Sequence, residues 1–223
     1  MNLVNKIVEI RIFKSMRVIF FFYFFYSLGS INAQSRTRID QTNYWVMFES
    51  DDKRCRNLIT NELISGAVYL ETLNGNPELE FNFKNGLRDG IQLTWFKNGE
   101  LSSEYNYVNG IEHGYRKAWY ENGNIHFIEF FNHGQEHGTF KNWHENSRLK
   151  WHREYFEGEE HGLWKSWYKN GQLESESHYK HGELSKAKRW NNLGMLVYET
   201  EYKNGYLYLE TCWDDSGEKI ECD

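Results

Sequence analysis

Nine histidines are the residues of this 223-residue chain that could best support metal chemistry. Three of them, His113, His137 and His161, recur at one constant interval and would line one side of a sheet. Equivalent positions of adjacent two-stranded units lie about 10 Å apart, whereas metal ligands converge at about 2 Å from one ion. Asp89 holds the same position one interval earlier, which is typical of a turn residue. We therefore expect neither a metal centre nor a cofactor.

Nucleophilic and phosphate chemistry lack their usual motifs in this sequence. Gly-x-Ser-x-Gly, phosphate-binding glycine loops and His-Glu-x-x-His are all absent. Glu159-Glu160 and Asp214-Asp215 are paired acids, but adjacent carboxylates in turns are usually solvated. The sequence thus predicts a protein that is not an enzyme.

Aromatic residues form a third set, which could bind a ligand by stacking or apolar contact. Packing between repeats is their first expected role, and partner binding is a second one, because large exposed apolar patches tend to be interaction sites. Neighbours along a strand point to opposite faces, so both faces of an open sheet would carry rings. The candidate binding surface comprises Trp95, Phe96, Trp119, Tyr120, Trp143, Trp167, Tyr168 and Trp190.

A repeat with a 24-residue period must position all of these residues. Two glycine series, one tryptophan series and one further turn series keep that spacing, and the steps become one residue shorter near the C-terminal end. Their members are Gly86, Gly110, Gly134, Gly158, Gly182 and Gly205; Gly66, Gly90, Gly114, Gly138 and Gly162; Trp95, Trp119, Trp143, Trp167, Trp190 and Trp213; and Gly75, Gly99, Gly123, Ser147, Gly171, Gly194 and Gly217. Repeats must be identified first, since they decide the fold.

One unit reads as a β-hairpin. Apolar and polar residues alternate over 91–95 and again over 101–107, which is the period-2 pattern of half-buried strands. Asn98-Gly99 is expected to form a two-residue type I′ turn, which needs positive φ at both positions. Asn109-Gly110 is expected to begin a longer reverse turn into the next unit.

Stacked side by side, such hairpins predict an all-β, elongated, single-layer antiparallel meander, with the equivalent tryptophans of adjacent units next to each other. Six or seven units would extend about 60–70 Å. Residues 61–223 form this repeat domain, and residues 34–60 are expected to cap its first open edge.

The first 33 residues are predicted to be a signal peptide with an apolar helical core. Lys6, Arg11, Lys14 and Arg17 precede an apolar run over 18–28, and cleavage is expected after Ala33. The run is shorter than the roughly 20 residues of a spanning helix, so a retained anchor is the alternative. The expected location is the periplasm, the cell surface or the extracellular space.

Charge excludes some partners. Cleavage would remove four of the 26 basic and one of the 32 acidic residues, leaving a net charge of −9. That balance disfavours nucleic acid, whose phosphates select basic surfaces, and disfavours attachment to anionic membranes. The mature chain is expected to have no membrane span.

Two of the three cysteines could form a disulfide. Cys55 is too far from the others in an extended repeat array to pair with them, whereas Cys212 and Cys222 flank the last predicted turn. A two-residue turn at Ser216-Gly217 would place the two cysteines on opposite faces, and a loop one residue longer would place them on the same face. The sequence leaves both arrangements open.

The segments 83–90 and 107–114, each followed by Trp-aromatic-x-Asn-Gly, resemble the bacterial variant of the MORN repeat. The resemblance covers about Gly66 to Ile220 and departs from the pattern at Asn146-Ser147 and in the unit 179–202. Similar proteins are often labelled as antitoxin components of toxin–antitoxin modules, so the resemblance implies a toxin as one partner. An exported chain fits poorly with neutralising a cytoplasmic toxin.

Three functions remain open on the sequence. The first is a non-enzymatic exported scaffold that binds another protein through its aromatic-rich sheet or by strand addition at its terminal edge. The second is a module that binds carbohydrate or cell wall, since exposed Trp and Tyr also stack on sugars. The third is an antitoxin-like component of a toxin–antitoxin module.

Overall fold

A computed structural model of the chain describes residues 36–39, 47–49, 54–57, 61–72 and 74–222. Every regular element in that part of the chain is a β-strand. No helix there is long and apolar enough to cross a bilayer. The predicted signal peptide, with its alternative as an anchor, lies outside the described residues.

Nineteen strands follow one another along these residues. They are β1 (Arg36–Ile39), β2 (Met47–Glu49), β3 (Cys55–Asn57), β4 (Gly66–Glu71), β5 (Pro77–Lys84), β6 (Leu87–Arg88), β7 (Gly90–Trp95), β8 (Leu101–Val108), β9 (Ile111–Trp119), β10 (Ile125–Asn132), β11 (Gln135–Glu136), β12 (Gly138–Trp143), β13 (Leu149–Phe156), β14 (Glu159–Trp167), β15 (Leu173–Lys180), β16 (Glu183–Trp190), β17 (Leu196–Lys203), β18 (Tyr206–Trp213) and β19 (Lys219–Ile220).

Seventeen of these strands form one open sheet. From β4 to β19 each strand pairs antiparallel with the next one along the chain, and β6–β7 and β11–β12 act as single strands that are interrupted once. β1 adds to the outer side of β4 in parallel, and β2 and β3 form a separate pair. The predicted all-β meander of consecutive hairpins is confirmed.

The two turn types are exchanged relative to the sequence prediction. Asn109 and Gly110 have φ of 50° and 82°, and the flanking Val108 and Ile111 pair directly, so this Asn-Gly forms the two-residue turn. At Asn98-Gly99 only the glycine has positive φ, 90°. There the loop has three residues, because Phe96 both receives a bond from the Gly99 N–H and donates to the Glu100 carbonyl. The type I′ prediction at Asn98 was wrong. The sequence alone does not distinguish an Asn-Gly pair within a three-residue loop from an Asn-Gly pair that forms a two-residue turn.

The repeat period shortens by one residue at a bulge. Opposite Asn106 of β8, the strand β9 carries the three residues 113–115 and therefore bulges by two. The corresponding strand β16 bulges by one residue, Ser185, and contains no glycine. The shorter repeat step and the missing second glycine in this unit therefore have one local cause, which is the smaller bulge. The strands pair normally on either side of it.

Backbone hydrogen bonds link four successive tight turns, those from Gly110 to Gly182, to the preceding unit. The N–H of Gly110 donates to the Arg88 carbonyl at 2.7 Å, and that of Gly134 donates to the Glu112 carbonyl at 2.8 Å. The same bond recurs from Gly158 to Glu136 and from Gly182 to Glu160. Neighbouring units are therefore joined at their tips as well as along their strands.

Asparagine side chains join the three-residue loops at the opposite end of the hairpins. Asn98 Nδ2 donates to the Glu121 carbonyl at 3.0 Å, and Asn170 Nδ2 donates to the Asn192 carbonyl at 3.0 Å. Asn122 and Asn146 make the equivalent bonds. At the next equivalent position stands Leu193, which is 71% exposed.

Replacing Leu193 with asparagine is expected to stabilise the C-terminal hairpin by about 0.5–1 kcal/mol, because the new amide can donate to the Asp215 carbonyl. Urea unfolding of both proteins measures the difference. The control is Leu193→Ala, which removes the exposed leucine without adding a donor. Equal midpoints for the two variants would show that the asparagine series contributes nothing to stability.

The ten side chains that are buried among the described residues all lie on one face of the sheet, as strand alternation and register show. Six are apolar, namely Val68, Leu79, Phe83, Ala118, Phe131 and Phe140, and four are polar, namely Gln92, Glu129, Asn142 and Thr200. We call this the aromatic face and the other one the ionic face.

Candidate functional site

Five rings form a continuous row on the aromatic face, which we call the aromatic ladder: Phe131, Phe140, Tyr155, Trp164 and Tyr179. Their successive ring centroids are 5.4, 4.8, 5.2 and 4.6 Å apart. Each contact joins neighbouring strands, so the ladder runs across the sheet and links units. Burial raises the pKa of Tyr155 and Tyr179, and their hydroxyls stay protonated at neutral pH.

Arginines extend the ladder. Arg116 lies over the Phe131 ring at 4.7 Å and donates from Nε to Glu129 Oε2 at 2.8 Å. Burial opposes the charge of Arg116, but Glu129 outweighs this and raises the pKa of the guanidinium. Arg153 lies 4.7 Å from both the Trp151 and the Trp164 rings. Both cations cover rings of the aromatic face, and Arg116 also pairs with the buried carboxylate of Glu129, so both have a packing role.

The ionic face carries a row of charged side chains, each paired by register with the next. We call it the ionic row: Glu104, Lys117, Ile128, Lys141, His152, Lys165, Glu176, Lys188 and Glu199. Three ion pairs close along it, Lys117–Glu104 at 3.1 Å, Lys165–Glu176 at 3.0 Å and Lys188–Glu199 at 3.3 Å. This face therefore meets solvent with alternating charge, except where Ile128 and His152 flank Lys141.

One member of the histidine series, His113, binds a tight turn, whereas Nδ1 of His137 and Nδ1 of His161 are buried and have no hydrogen-bond partner among the described residues. Ser65 Oγ accepts from the Asn85 N–H at 2.9 Å, and Asp89 Oδ2 accepts from the Asn109 N–H at 3.0 Å. His113 Nδ1 accepts from the His133 N–H at 3.3 Å in the same way. Serine, aspartate and histidine thus share one task, which is to accept a hydrogen bond from a tight turn.

The family follows from these units. A family model described as the MORN repeat variant matches residues 88–109, 112–133 and 160–181. These three segments are MORN-variant repeats. Each match begins in or just before one strand and ends in the next tight turn, so a MORN-variant repeat corresponds to the hairpin with the three-residue loop. No curated protein matches the chain. The chain is a repeat scaffold.

Within the repeats, the predicted binding residues lie at or next to the ends of strands. Trp95, Trp119, Trp143, Trp167 and Trp190 are the last residues of β7, β9, β12, β14 and β16, and all are half-buried. Phe96, Tyr120 and Tyr168 begin the three-residue loops.

Hydroxyl groups connect these loop residues to the next repeat. Tyr120 Oη donates to the Trp143 carbonyl at 2.8 Å, and Tyr168 Oη donates to the Trp190 carbonyl at 2.9 Å. Among the described residues, the aromatic ladder joins repeats by ring contacts, whereas no ring contact joins two members of the tryptophan series, so the expected stacking of equivalent tryptophans was wrong. The contacts of Tyr120 and Tyr168 favour inter-repeat packing, and their role in ligand binding stays a prediction.

The last hairpin of the described residues is closed by a disulfide between Cys212 and Cys222, whose Cα atoms are 5.4 Å apart. The loop has three residues, since Gly217 donates to Asp214 and Asp214 pairs with Glu218. Cys212 therefore pairs with Ile220, and Cys222 lies two residues further on the same face. Cys55, the third cysteine, is half-buried and is not part of this disulfide.

Two exposed apolar groups escaped the sequence prediction. Tyr115 on the ionic face is 55% exposed and contacts Phe130 edge to face at 5.1 Å. The second group is residues 206–209 of β18, all large and apolar. Neither group belongs to the tryptophan series. The sequence could have indicated them only because their residue types differ from those at the equivalent positions of other repeats.

Stability should fall as the pH drops below about 6.5, the ordinary histidine value. Burial lowers the pKa of His152, with Lys141 and Lys165 adding to the effect, and burial with Lys150 lowers that of His126. A lowered folded-state pKa means that the unfolded chain binds protons first, so stability is complete above about 6.5 and is lost as the pH falls through the folded value.

Thermal unfolding between pH 7.5 and 5.5 measures this loss. The double variant His126→Gln/His152→Gln is expected to show a smaller decrease in Tm over that range than the unaltered protein. An equal or larger decrease would mean that these two histidines are not responsible.

Proposed function

We propose that this MORN-variant protein is a non-enzymatic, exported scaffold that binds another protein through its sheet. The observation that carries the proposal is β18, at the C-terminal end of the array. Tyr206, Leu207, Tyr208 and Leu209 are 78, 52, 70 and 49% exposed, which makes four consecutive large apolar residues in contact with solvent.

The edge of β18 supports the same function. β17 covers one side of β18 along its length, whereas β19 covers the other side only at Cys212 and Trp213. Among the described residues no strand pairs with the outer side of 206–211. An unpaired apolar edge invites an additional strand, whose main-chain bonds provide affinity while side chains provide specificity.

Capture from the envelope fraction of cells that naturally express the protein tests the proposal. The chain starting at Gln34 is immobilised beside the variant Leu207→Lys/Tyr208→Lys and the control Leu193→Lys, which alters an exposed leucine outside β18. A protein retained by the first and third but not by the second is the expected result. Equal retention by all three would contradict binding at β18.

A parallel binding experiment with polysaccharide distinguishes carbohydrate binding from protein binding. Retention on insoluble cell-wall polysaccharide that disappears in Trp119→Ala/Tyr120→Ala, without any protein captured, would overturn protein binding in favour of sugar binding.

Export has its own test. Sequencing the N-terminus of the protein recovered from fractionated cells should give Gln34 first, and the Cys212–Cys222 bridge should persist in that fraction, as disulfides do in oxidising compartments. A chain found in the cytoplasm with residues 1–33 intact would contradict export.

A further inference from the structure

The repeat formed by β12 and β13 differs from its neighbours at Gly138. A Cβ atom added to Gly90 would lie 3.6 Å from Asn82, and one added to Gly114 would lie 3.0 Å from Asn106. The side chain of the adjacent strand thus covers the glycine in those units. At Gly138 an added Cβ would meet nothing within 4 Å, and the space above the glycine is open.

Phe130 accounts for this opening. It holds the position of Asn106 one interval later, but its ring contacts Tyr115 at 5.1 Å and His137 at 6.3 Å. The ring thereby leans along the sheet and leaves Gly138 uncovered. A cleft of about 600 Å³ results on the ionic face, lined mainly by Tyr115, Phe130, Ile128, Thr139, Lys117 and Lys141.

The cleft is specific to this place in the array. Equivalent positions to Tyr115 carry Ile91, Thr139 and Leu163. Gly138 itself lies between the segments 112–133 and 160–181 that match the MORN-variant model. Structural roles recur in every repeat, so a departure that opens a cavity is not explained by packing between repeats.

Lys141 gives the cleft an uncompensated positive charge. The other cleft lysine, Lys117, pairs with Glu104 at 3.1 Å, and Lys165 further along the ionic row pairs with Glu176. Lys141 stands between Ile128 and His152, and none of the described residues forms an ion pair with it. In a chain of net charge −6, this free cation selects an anionic group.

The walls of the cleft select an apolar group beside that anion. Tyr115 is 55% exposed, and Phe130 and Ile128 are half-buried, so their rings and methyl groups are available at the surface. Carboxylate and amide side chains are good acceptors for sugar hydroxyl groups, and within the described residues no Asp, Glu, Asn or Gln lines the cleft. The lining therefore favours a polypeptide over a saccharide.

We infer that the cleft between β9, β10 and β12 binds a segment of a partner protein in which an Asp or Glu lies next to a large apolar side chain. The carboxylate pairs with Lys141, and the apolar side chain packs against Tyr115 and Phe130. This inference rests on the proposed function of the chain as a protein-binding scaffold, and it adds the chemistry of the partner.

Selection from a displayed library of random peptides tests it. Immobilised protein starting at Gln34 is expected to enrich peptides that carry an acidic residue beside Phe, Tyr, Trp or Leu. Lys141→Glu should weaken the selected peptides at least about tenfold and, when used for a new selection, should enrich basic residues instead. Tyr115→Ala should weaken them similarly, while Lys165→Glu, a change of the same charge elsewhere in the ionic row, should leave binding unchanged.

Other outcomes overturn the inference in distinguishable ways. Selected peptides whose binding depends on Tyr208 but not on Lys141 would disprove binding in the cleft and would leave the proposed scaffold function intact. If no peptide is enriched, the cleft is not a peptide-binding site, whether or not β18 captures a protein. Retention on polygalacturonate that disappears in Lys141→Glu would assign the cleft to acidic sugars. Thermal unfolding confirms in each case that the variant is folded.

Discussion

Replacing Arg116 with alanine is expected to lower the free energy of unfolding by about 3 kcal/mol, because it leaves a buried carboxylate without its partner. Glu129 is 8% exposed and receives its hydrogen bond from Arg116 at 2.8 Å. The same change removes the cation that lies over the Phe131 ring. Urea or guanidinium unfolding followed by tryptophan fluorescence measures the loss.

Two further variants make this prediction specific. Lys165→Ala breaks the half-exposed pair with Glu176 on the ionic face and should cost less than about 1 kcal/mol. The double variant Arg116→Met/Glu129→Leu removes both charges and should recover most of the stability. Similar losses for Arg116→Ala and Lys165→Ala would contradict the distinction between the two faces.

Phe140→Ala should destabilise the protein by about 3–5 kcal/mol, the usual range for removing a buried phenylalanine. Phe140 is 3% exposed and contacts Phe131 and Tyr155, so its removal interrupts the aromatic ladder in the middle of the array. Because units in a repeat protein are stabilised by their neighbours, the unfolding transition should also broaden as the two halves uncouple. Calorimetry measures both effects.

Phe156→Ala is the matched control for this second prediction. Phe156 is also a phenylalanine with two ring neighbours, His137 and His161, but it is 43% exposed at the end of β13. We expect a loss of about 1 kcal/mol or less. An equal effect of the two substitutions would show that the aromatic ladder is not the main inter-repeat contact.

Most of the fold could be predicted from the sequence, since glycine and tryptophan spacing imposes a hairpin period and alternation identifies the strands. The turn types could not be predicted, because Asn98-Gly99 and Asn109-Gly110 are the same dipeptide. Their difference depends on register, as Phe96 pairs with Glu100 across three residues whereas Val108 pairs with Ile111 across two. Register depends on contacts with neighbouring strands, which a single unit does not specify.

The candidate surface was harder to predict for a related reason. Recurring residues such as Trp119 attract attention, yet recurrence is the mark of a residue that packs identically in every unit. Tyr115 and Phe130 stand out only after the bulge has been placed, since the bulge decides which residue covers each glycine. In a repeat protein the positions that break the repeat are therefore the better candidates for binding.

Small-angle X-ray scattering of the chain starting at Gln34 tests the central claim most directly, namely that the repeats form one open sheet in which each unit contacts only its neighbours. Fifteen strand positions at about 4.8 Å each predict a long dimension of about 70 Å. The radius of gyration should then clearly exceed the roughly 16 Å of a compact domain of this length. A radius no larger than that of the compact domain, with a symmetric distance distribution, would contradict the open sheet and the scaffold function built on it.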